Sequence, residues 1–303
     1  MPKKILLSVT VILSFFLISC SKPQDSVIEP AQTNLTYIKN TIAYNAISGI
    51  DPNLLSLDIY HFGQTTPNSP VVIYVHGGAW AIGDKANSLD NKKNLFSSLG
   101  YILVSVNYRL SPSAANTDPN RIMYPIHNND VADAVKWIYN NINTYGGNKQ
   151  KIALLGHSAG AHLVSLTGTS NLFLPTRGIP LNVIKGVASI DTEGYDVVFQ
   201  CNNNNSYYLN AFGNTNTNWV EASPFSQLFS GTLYPKFFIA KRGTASRIAI
   251  SDSFITKLQS VGVSVSQVTG SQYDHEGIND AIGATGETAI TSPLKVFLEQ
   301  CFL

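Results

Sequence analysis

The sequence predicts an α/β fold with one mostly parallel sheet and helices on both of its faces. Two observations carry that reading. Apolar, β-branched runs recur along the chain from about residue 54 to the C-terminus, and segments of helical periodicity fall between them. The first run, Leu54 to Tyr60, alternates Leu55, Leu57 and Ile59 with Ser56, Asp58 and Tyr60, which is the pattern of a half-buried strand. Val71-Val72-Ile73-Tyr74-Val75 is continuous, as in a strand covered on both faces. Further strands are expected at 101–106, 151–155, Val183 to Ile190, Lys236 to Ala240 and Val263 to Val268. Asn128 to Asn141 sets Val131, Ala134, Val135 and Ile138 at helical spacing. Ala159 to Leu166, Ser251 to Ser260 and Thr291 to Cys301 are the other expected helices. The Asn- and aromatic-rich stretch between about 200 and 230 breaks the pattern and reads as a small, partly helical insertion over the sheet. In such sheets ligands bind at the carboxyl ends of the strands, so those loops are where chemistry is to be sought.

Composition narrows the function classes. The chain has 303 residues, 44% apolar and 13% charged, with a net charge of +1. Average proteins carry about 25% charged residues. There is no basic excess or stripe for nucleic acid, and too much apolar content for a disordered chain. Three cysteines are too few for a disulfide-stapled miniprotein. No His, Asp or Glu cluster has metal-site spacing and no glycine-rich phosphate loop follows a strand, so no cofactor and no metal are expected.

The N-terminus has a basic start (Lys3, Lys4), an apolar run from Ile5 to Ile18, and then Ser19-Cys20. This is a signal-peptide pattern rather than a membrane span. Leu17-Ile18-Ser19-Cys20 is similar to a bacterial lipobox, with Cys20 as the lipidated residue; an ordinary secretory signal is the other reading. The expected organisation is a signal peptide over 1–19, a flexible tether over 20–34 and a folded domain over 35–303, exported and anchored to a membrane of the cell envelope through lipid. Cys201 and Cys301 remain, either as a pair or as two buried thiols.

Two motifs carry chemistry. Gly156-His157-Ser158-Ala159-Gly160 fits G-x-S-x-G and lies between an expected strand and an expected helix, where small residues permit a tight turn that lifts the serine hydroxyl above the sheet. His76-Gly77-Gly78-Ala79-Trp80 follows the strand at 71–75, and its N–H groups can face a developing oxyanion. With Asn107-Tyr108-Arg109-Leu110-Ser111-Pro112, Tyr124-Pro125, Asp130 to Trp137 and Tyr145-Gly146-Gly147-Asn148, these stretches make the chain resemble the α/β-hydrolase fold, and within it the esterases of the hormone-sensitive-lipase and feruloyl-esterase-like groups. The resemblance covers roughly residues 55–170 and is looser beyond. It implies Ser158 as nucleophile and the N–H groups of Gly78, Ala79 and Ala159 as the oxyanion hole.

The general base must then follow the last strand. Of the six histidines only His275 does so; His76 and His157 fill motifs, His61 and His127 come too early, and His162 is expected to pack within the helix after the elbow. The acid departs from the resemblance, because Ser246 stands where the family's aspartate is expected. Asp191 is the first substitute, with Asp252 and Asp196 behind it and no acid at all as the last option. Arg109 reads as an ion-pairing loop anchor, and Asp130 and Asp133 as acids at a helix start. Trp80, Tyr208, Phe212 and Trp219 read equally as pocket wall or core. The expected function is a serine hydrolase that cleaves short acyl or aryl carboxylic esters, with acetyl or feruloyl esters of carbohydrate as candidates, through an acyl-enzyme. Two alternatives stay open: an arylformamidase-like amide hydrolase, and a catalytically weak binding lipoprotein, favoured only by Ser246. The oligomeric state leaves no mark in the sequence.

Overall fold

The computed structural model describes residues 36–63, 68–112, 118 and 120–303. The stretches expected above to form a signal peptide and a tether, with Cys20, lie outside the described residues. The elements are, in chain order, β1 (Ile38–Ala43), β2 (Ser56–His61), β3 (Ser69–Val75), α1 (Asp90–Ser98), β4 (Ile102–Val106), α2 (Ile126–Asn141), β5 (Gly147–His157), α3 (Ala159–Thr169), β6 (Ile184–Ile190), α4 (Val197–Asn202), α5 (Ser206–Phe212), α6 (Asn216–Ala222), β7 (Lys236–Lys241), α7 (Ala245–Ser260), β8 (Val265–Thr269), α8 (Gly277–Asp280) and α9 (Thr291–Phe302). The strands form one eight-stranded sheet in the order β1-β2-β4-β3-β5-β6-β7-β8. The β1–β2 and β2–β4 pairs are antiparallel and the rest parallel, so the predicted fold class is the observed one.

Strand periodicity explains why the run Val71–Val75 of β3 is apolar on every residue. In β3, Val71, Ile73 and Val75 join the core under α2, α3 and α7, whereas Val72 and Tyr74 join the core under α1 and α9. Each fully buried Val, Ile or Leu contributes roughly 1.5–3 kcal/mol of transfer free energy. Cys201 belongs to the first of these cores and Cys301 to the second, on opposite faces of the sheet, and both are buried free thiols.

Several expectations need correction. The strand read as half-buried at 54–60 is β2, and all six of its residues are buried. Its polar face is paired rather than solvated: Asp58 accepts from the Thr41 hydroxyl at 2.7 Å and lies 2.7 Å from the Lys39 ammonium. Strand β1 and helix α1 went unforeseen, the first because it is an exposed edge with scattered polar residues, the second because only Lys92 and Phe96 of its nine residues are buried. Helix α7 begins at Ala245 rather than at 251, with Thr244 accepting from the Arg247 N–H as its cap. Asp130 and Asp133 do not start a helix. Helix α2 begins at Ile126, so both sit beyond its first turn, where Asp130 is buried against Arg109 at 2.6 Å and Asp133 meets Arg177 at 2.6 Å. The Arg109 anchor is thus as expected. The insertion at 200–230 is built of α4, α5 and α6, packed on the α3 side of the sheet.

Candidate active site

The site forms where β3, β5 and β6 end. Strand β5 runs directly into α3 through Ser158, which has φ 55° and ψ −119°. Non-glycine residues occupy this region only when the surroundings impose it. Here the imposition is steric. A Cβ on Gly156 would lie 2.3 Å from the Gly160 carbonyl oxygen, and one on Gly160 would lie 2.1 Å from that of Val75. Glycine at both positions lets α3 close onto β3, and the turn that results projects the serine. The Ser158 N–H is used up by the Ile190 carbonyl at 2.9 Å, which ties the elbow to β6.

Gly78, with φ 111°, and Ala79, with φ 50°, line the same cavity as Ser158 and Ala159. A Cβ on Gly78 would sit 2.1 Å from the Ile82 carbonyl oxygen. Among the described residues, no hydrogen bond claims the N–H of Gly78 or Ala79, and Ala159 opens α3, where a helix leaves its N–H groups unpaired. His76 anchors this loop. Its ring stacks on Tyr108 at 4.6 Å, its Nδ1 meets the Gly77 carbonyl at 2.7 Å, and the Tyr108 hydroxyl donates to the His76 carbonyl at 3.2 Å.

His275 lies between Ser158 and Asp191. Its Nε2 is 2.8 Å from Ser158 Oγ and its Nδ1 is 2.6 Å from Asp191 Oδ2. The neutral tautomer that fits donates from Nδ1 and accepts the serine proton at Nε2. The His275 carbonyl accepts from His157 Nε2 at 2.8 Å, so the second residue of the elbow motif holds the backbone of His275. Burial lowers His157 to about 3, which keeps it neutral. The other acid candidates are elsewhere. Asp252 pairs with Lys241, Asp196 caps α4 by accepting from Phe199 N–H at 2.9 Å, and Ser246 bonds the Thr244 hydroxyl. Of the three acids weighed, the structure brings only Asp191 to the histidine, and the one sequence feature that favoured an inactive scaffold loses its force.

Asp191 is 2% exposed and sits at φ 49°. Burial pushes its carboxyl upward. The hydrogen bond from His275 and the charges of Arg247 and Arg242 outweigh that, and the group ends below the usual carboxylate range. The two arginines were missed in the sequence. Arg242 donates from Nε to Oδ2 at 2.5 Å. Arg247 donates from Nε to Oδ1 at 2.9 Å and from a terminal nitrogen to the Asp191 carbonyl at 3.3 Å, and it also pairs with Glu193. The available signal was two arginines flanking Ser246, the position that lacks the expected acid.

The cavity above Ser158 has a volume of about 400 Å³ and reaches Thr192, Glu193, Tyr207, Tyr208 and Glu276. Trp80 and Tyr208 serve both readings given to the aromatics. They line the cavity and both pack on Phe212, and Trp80 also packs on His162, to whose Nδ1 its indole donates at 3.3 Å. Phe212 is core, Trp219 packs beside it with its indole N–H on the Gly213 carbonyl, and His162 packs as expected, lowered to about 4 by burial. His157, His275 and Glu276 bring one potential metal-ligand atom each within 4.8 Å of one another, a grouping that spacing alone did not show. Both ring nitrogens of His275 are already engaged there, with Ser158 and Asp191.

A mostly parallel sheet with a serine on a strand–turn–helix elbow, a glycine loop beside it and a histidine after the last strand is the architecture of the α/β-hydrolases. Solved structures share it. Esterase B from Lactobacillus rhamnosis superimposes with a TM-score of 0.70 over 88% of this chain and 87% of that one, at 18% identity. The esterase from Pyrobaculum calidifontis gives 0.63 over 82% of each chain at 21% identity. At the level of sequence, the BD-FAE family model matches residues 57–226, more than half of the chain, and the chain belongs to that family. Among curated relatives, Esterase LipQ of Mycobacterium tuberculosis is 39% identical over 116 residues, 38% of this chain and 26% of that protein. The cAMP-regulated D2 protein of Dictyostelium discoideum is 38% identical over 125 residues, 40% and 23% of the two chains. The chain therefore spans about a quarter of the length of these relatives.

Proposed function

We propose that this chain is a serine esterase acting on carboxylic esters. The observation that carries the reading is the unbroken line Ser158 Oγ, His275, Asp191, with links of 2.8 and 2.6 Å, opening into a cavity that also presents Gly78, Ala79 and Ala159. Membership of the BD-FAE family and likeness to proteins named esterases support it. In this reading Ser158 attacks the ester carbonyl as His275 takes its proton, and the N–H groups of Gly78, Ala79 and Ala159 receive the oxyanion. His275 then protonates the leaving alcohol, and water, activated by the same base, releases the acid from the acyl-enzyme. A short acyl or an aryl group, such as acetyl or feruloyl on a carbohydrate, suits a cavity of about 400 Å³ with tyrosines in its wall.

The test is hydrolysis of p-nitrophenyl acetate and methyl ferulate by the full chain in detergent, beside Ser158→Ala. Activity that falls by about 10³-fold or more in the variant is the expected result. A parent no faster than Ser158→Ala on every ester, yet active on an N-formyl arylamine, would replace the reading by amide hydrolysis. We also propose export and lipidation at Cys20, on the strength of the N-terminal sequence. Metabolic labelling with a palmitate analogue should mark the parent and spare Cys20→Ser; equal labelling of the two would end that proposal.

A further inference from the structure

The stretch Arg242-Gly243-Thr244-Ala245-Ser246-Arg247, from the turn after β7 into the start of α7, contributes two guanidinium groups, but no acid, to the site. We propose that Arg242 and Arg247 are positioning residues that fix Asp191 as the orienting acid of His275, so that this stretch supports by hydrogen bonding a function it does not supply directly. The proposal rests on the esterase reading above.

Three facts carry it. The carboxylate of Asp191 is held on both oxygens: Oδ2 by His275 and Arg242, Oδ1 by Arg247. Turning the carboxylate plane to follow any one partner breaks the other two, so the plane that meets the imidazole is fixed from three directions. The backbone is fixed as well. Asp191 N–H donates to the Ala240 carbonyl of β7 at 2.8 Å, and Arg247 reaches the Asp191 carbonyl, holding a residue that stands at φ 49° just beyond the end of β6. Finally, the pairing is asymmetric. Arg247 is itself restrained by Glu193, whereas the described bond of Arg242 goes to Asp191 alone. A carboxylate that is 2% exposed needs such partners, because an ionised group buried with one neutral imidazole would be strongly disfavoured. The arginines keep it charged and aimed, and both also line the cavity above Ser158.

The experiment measures kcat and KM on p-nitrophenyl acetate for the full chain, with thermal melting as a check on folding. Activity of the parent above Ser158→Ala first establishes the esterase reading; a parent equal to Ser158→Ala overturns both. With an active parent, Arg242→Gln is expected to lower kcat by about 10- to 100-fold with KM changed less than about threefold, since a misplaced catalytic group costs on that scale. Arg242→Lys, which keeps the charge and a donor, should recover most of the loss. In an Asp191→Asn background the same Arg242→Gln change should alter kcat by less than about twofold, because partners acting through one group are not additive. Arg247→Gln should behave in the same way, and where it melts early the Arg242 series decides. A kcat within twofold of the parent overturns the proposal. So does an undiminished loss in the Asp191→Asn background, which would mean that Arg242 acts elsewhere. A rise in KM at constant kcat would make Arg242 a substrate-binding residue instead.

Discussion

Gly160→Ala puts a single methyl group into the contact on which the nucleophile turn depends. The added Cβ would meet the Val75 carbonyl oxygen at 2.1 Å, the His76 carbonyl oxygen at 2.5 Å and the Val75 carbonyl carbon at 2.7 Å. All three atoms are backbone, so no side chain can swing away. An ordinary carbon–oxygen contact needs somewhat more than 3 Å, and the start of α3 must therefore retreat from β3 by about 1 Å. Overpacking of this kind costs about 1–3 kcal/mol, and in a chain of this size each kcal/mol lowers Tm by roughly 2–4 °C. A fall of about 2–12 °C is expected. The same displacement moves Ser158 and Ala159 against the oxyanion loop, for which a loss of about 100-fold in kcat is the scale. Gly262→Ala is the control. It has φ +85° and no heavy atom near its would-be Cβ, so it should lower Tm by a few degrees at most and leave kcat unchanged. Differential scanning calorimetry and p-nitrophenyl acetate kinetics on both variants decide the matter. A Gly160→Ala protein with parental Tm and parental kcat would show that α3 and β3 do not meet as closely as described, and the account of the elbow would fall.

Asp191→Asn should lower kcat by about 10³- to 10⁴-fold while Asp252→Asn stays within threefold of the parent; the reverse ordering in steady-state assays would move the acid to α7. Lys92 is buried with its ammonium on the Ser88 and Asn279 carbonyls, and burial lowers it to about 7 from 10.5. Between those values the unfolded chain binds the extra proton, so stability should rise as pH increases from about 7 to 10.5. Urea titrations should show that rise in the parent and a flatter curve in Lys92→Met, and identical curves would refute the assignment. Cys201 and Cys301 lie on opposite faces of the sheet, so dithiothreitol should leave Tm unchanged, and both thiols should react with a thiol reagent only after denaturation. Fast labelling of either thiol in the native protein would contradict their burial.

What could be read from the sequence follows from where burial is two-sided. The runs Val71–Val75 of β3, Ile102–Val104 of β4 and Ile152–Leu155 of β5 are apolar on every residue because both faces of the sheet are covered there. Ser158 and His275 were legible because their positions are tied to strand ends. The edge strand β1 and the largely solvated α1 carry no such demand, and neither left a pattern. The acid was only partly legible. Asp191, Asp196 and Asp252 are alike as letters, and what separates them is whether the chain leaves β6 with φ 49° and turns the carboxylate toward β8 and its loop. The arginines were invisible for a related reason, since their partner is more than fifty residues away in sequence.

The unusual backbone angles near the cavity bear on how the molecule ages and warms. Six described non-glycine residues have positive φ, and Ala79, Trp80, Ser158 and Asp191, four of them, line this one cavity. At about 1–3 kcal/mol each, they hold energy comparable to the whole margin by which a domain stays folded, about 5–15 kcal/mol. The two cores on either side of the sheet supply the restraint. The cavity is thus the part of the molecule with most to gain from loosening, and the proposed activity would depend on the fully consolidated fold rather than on the fold in outline.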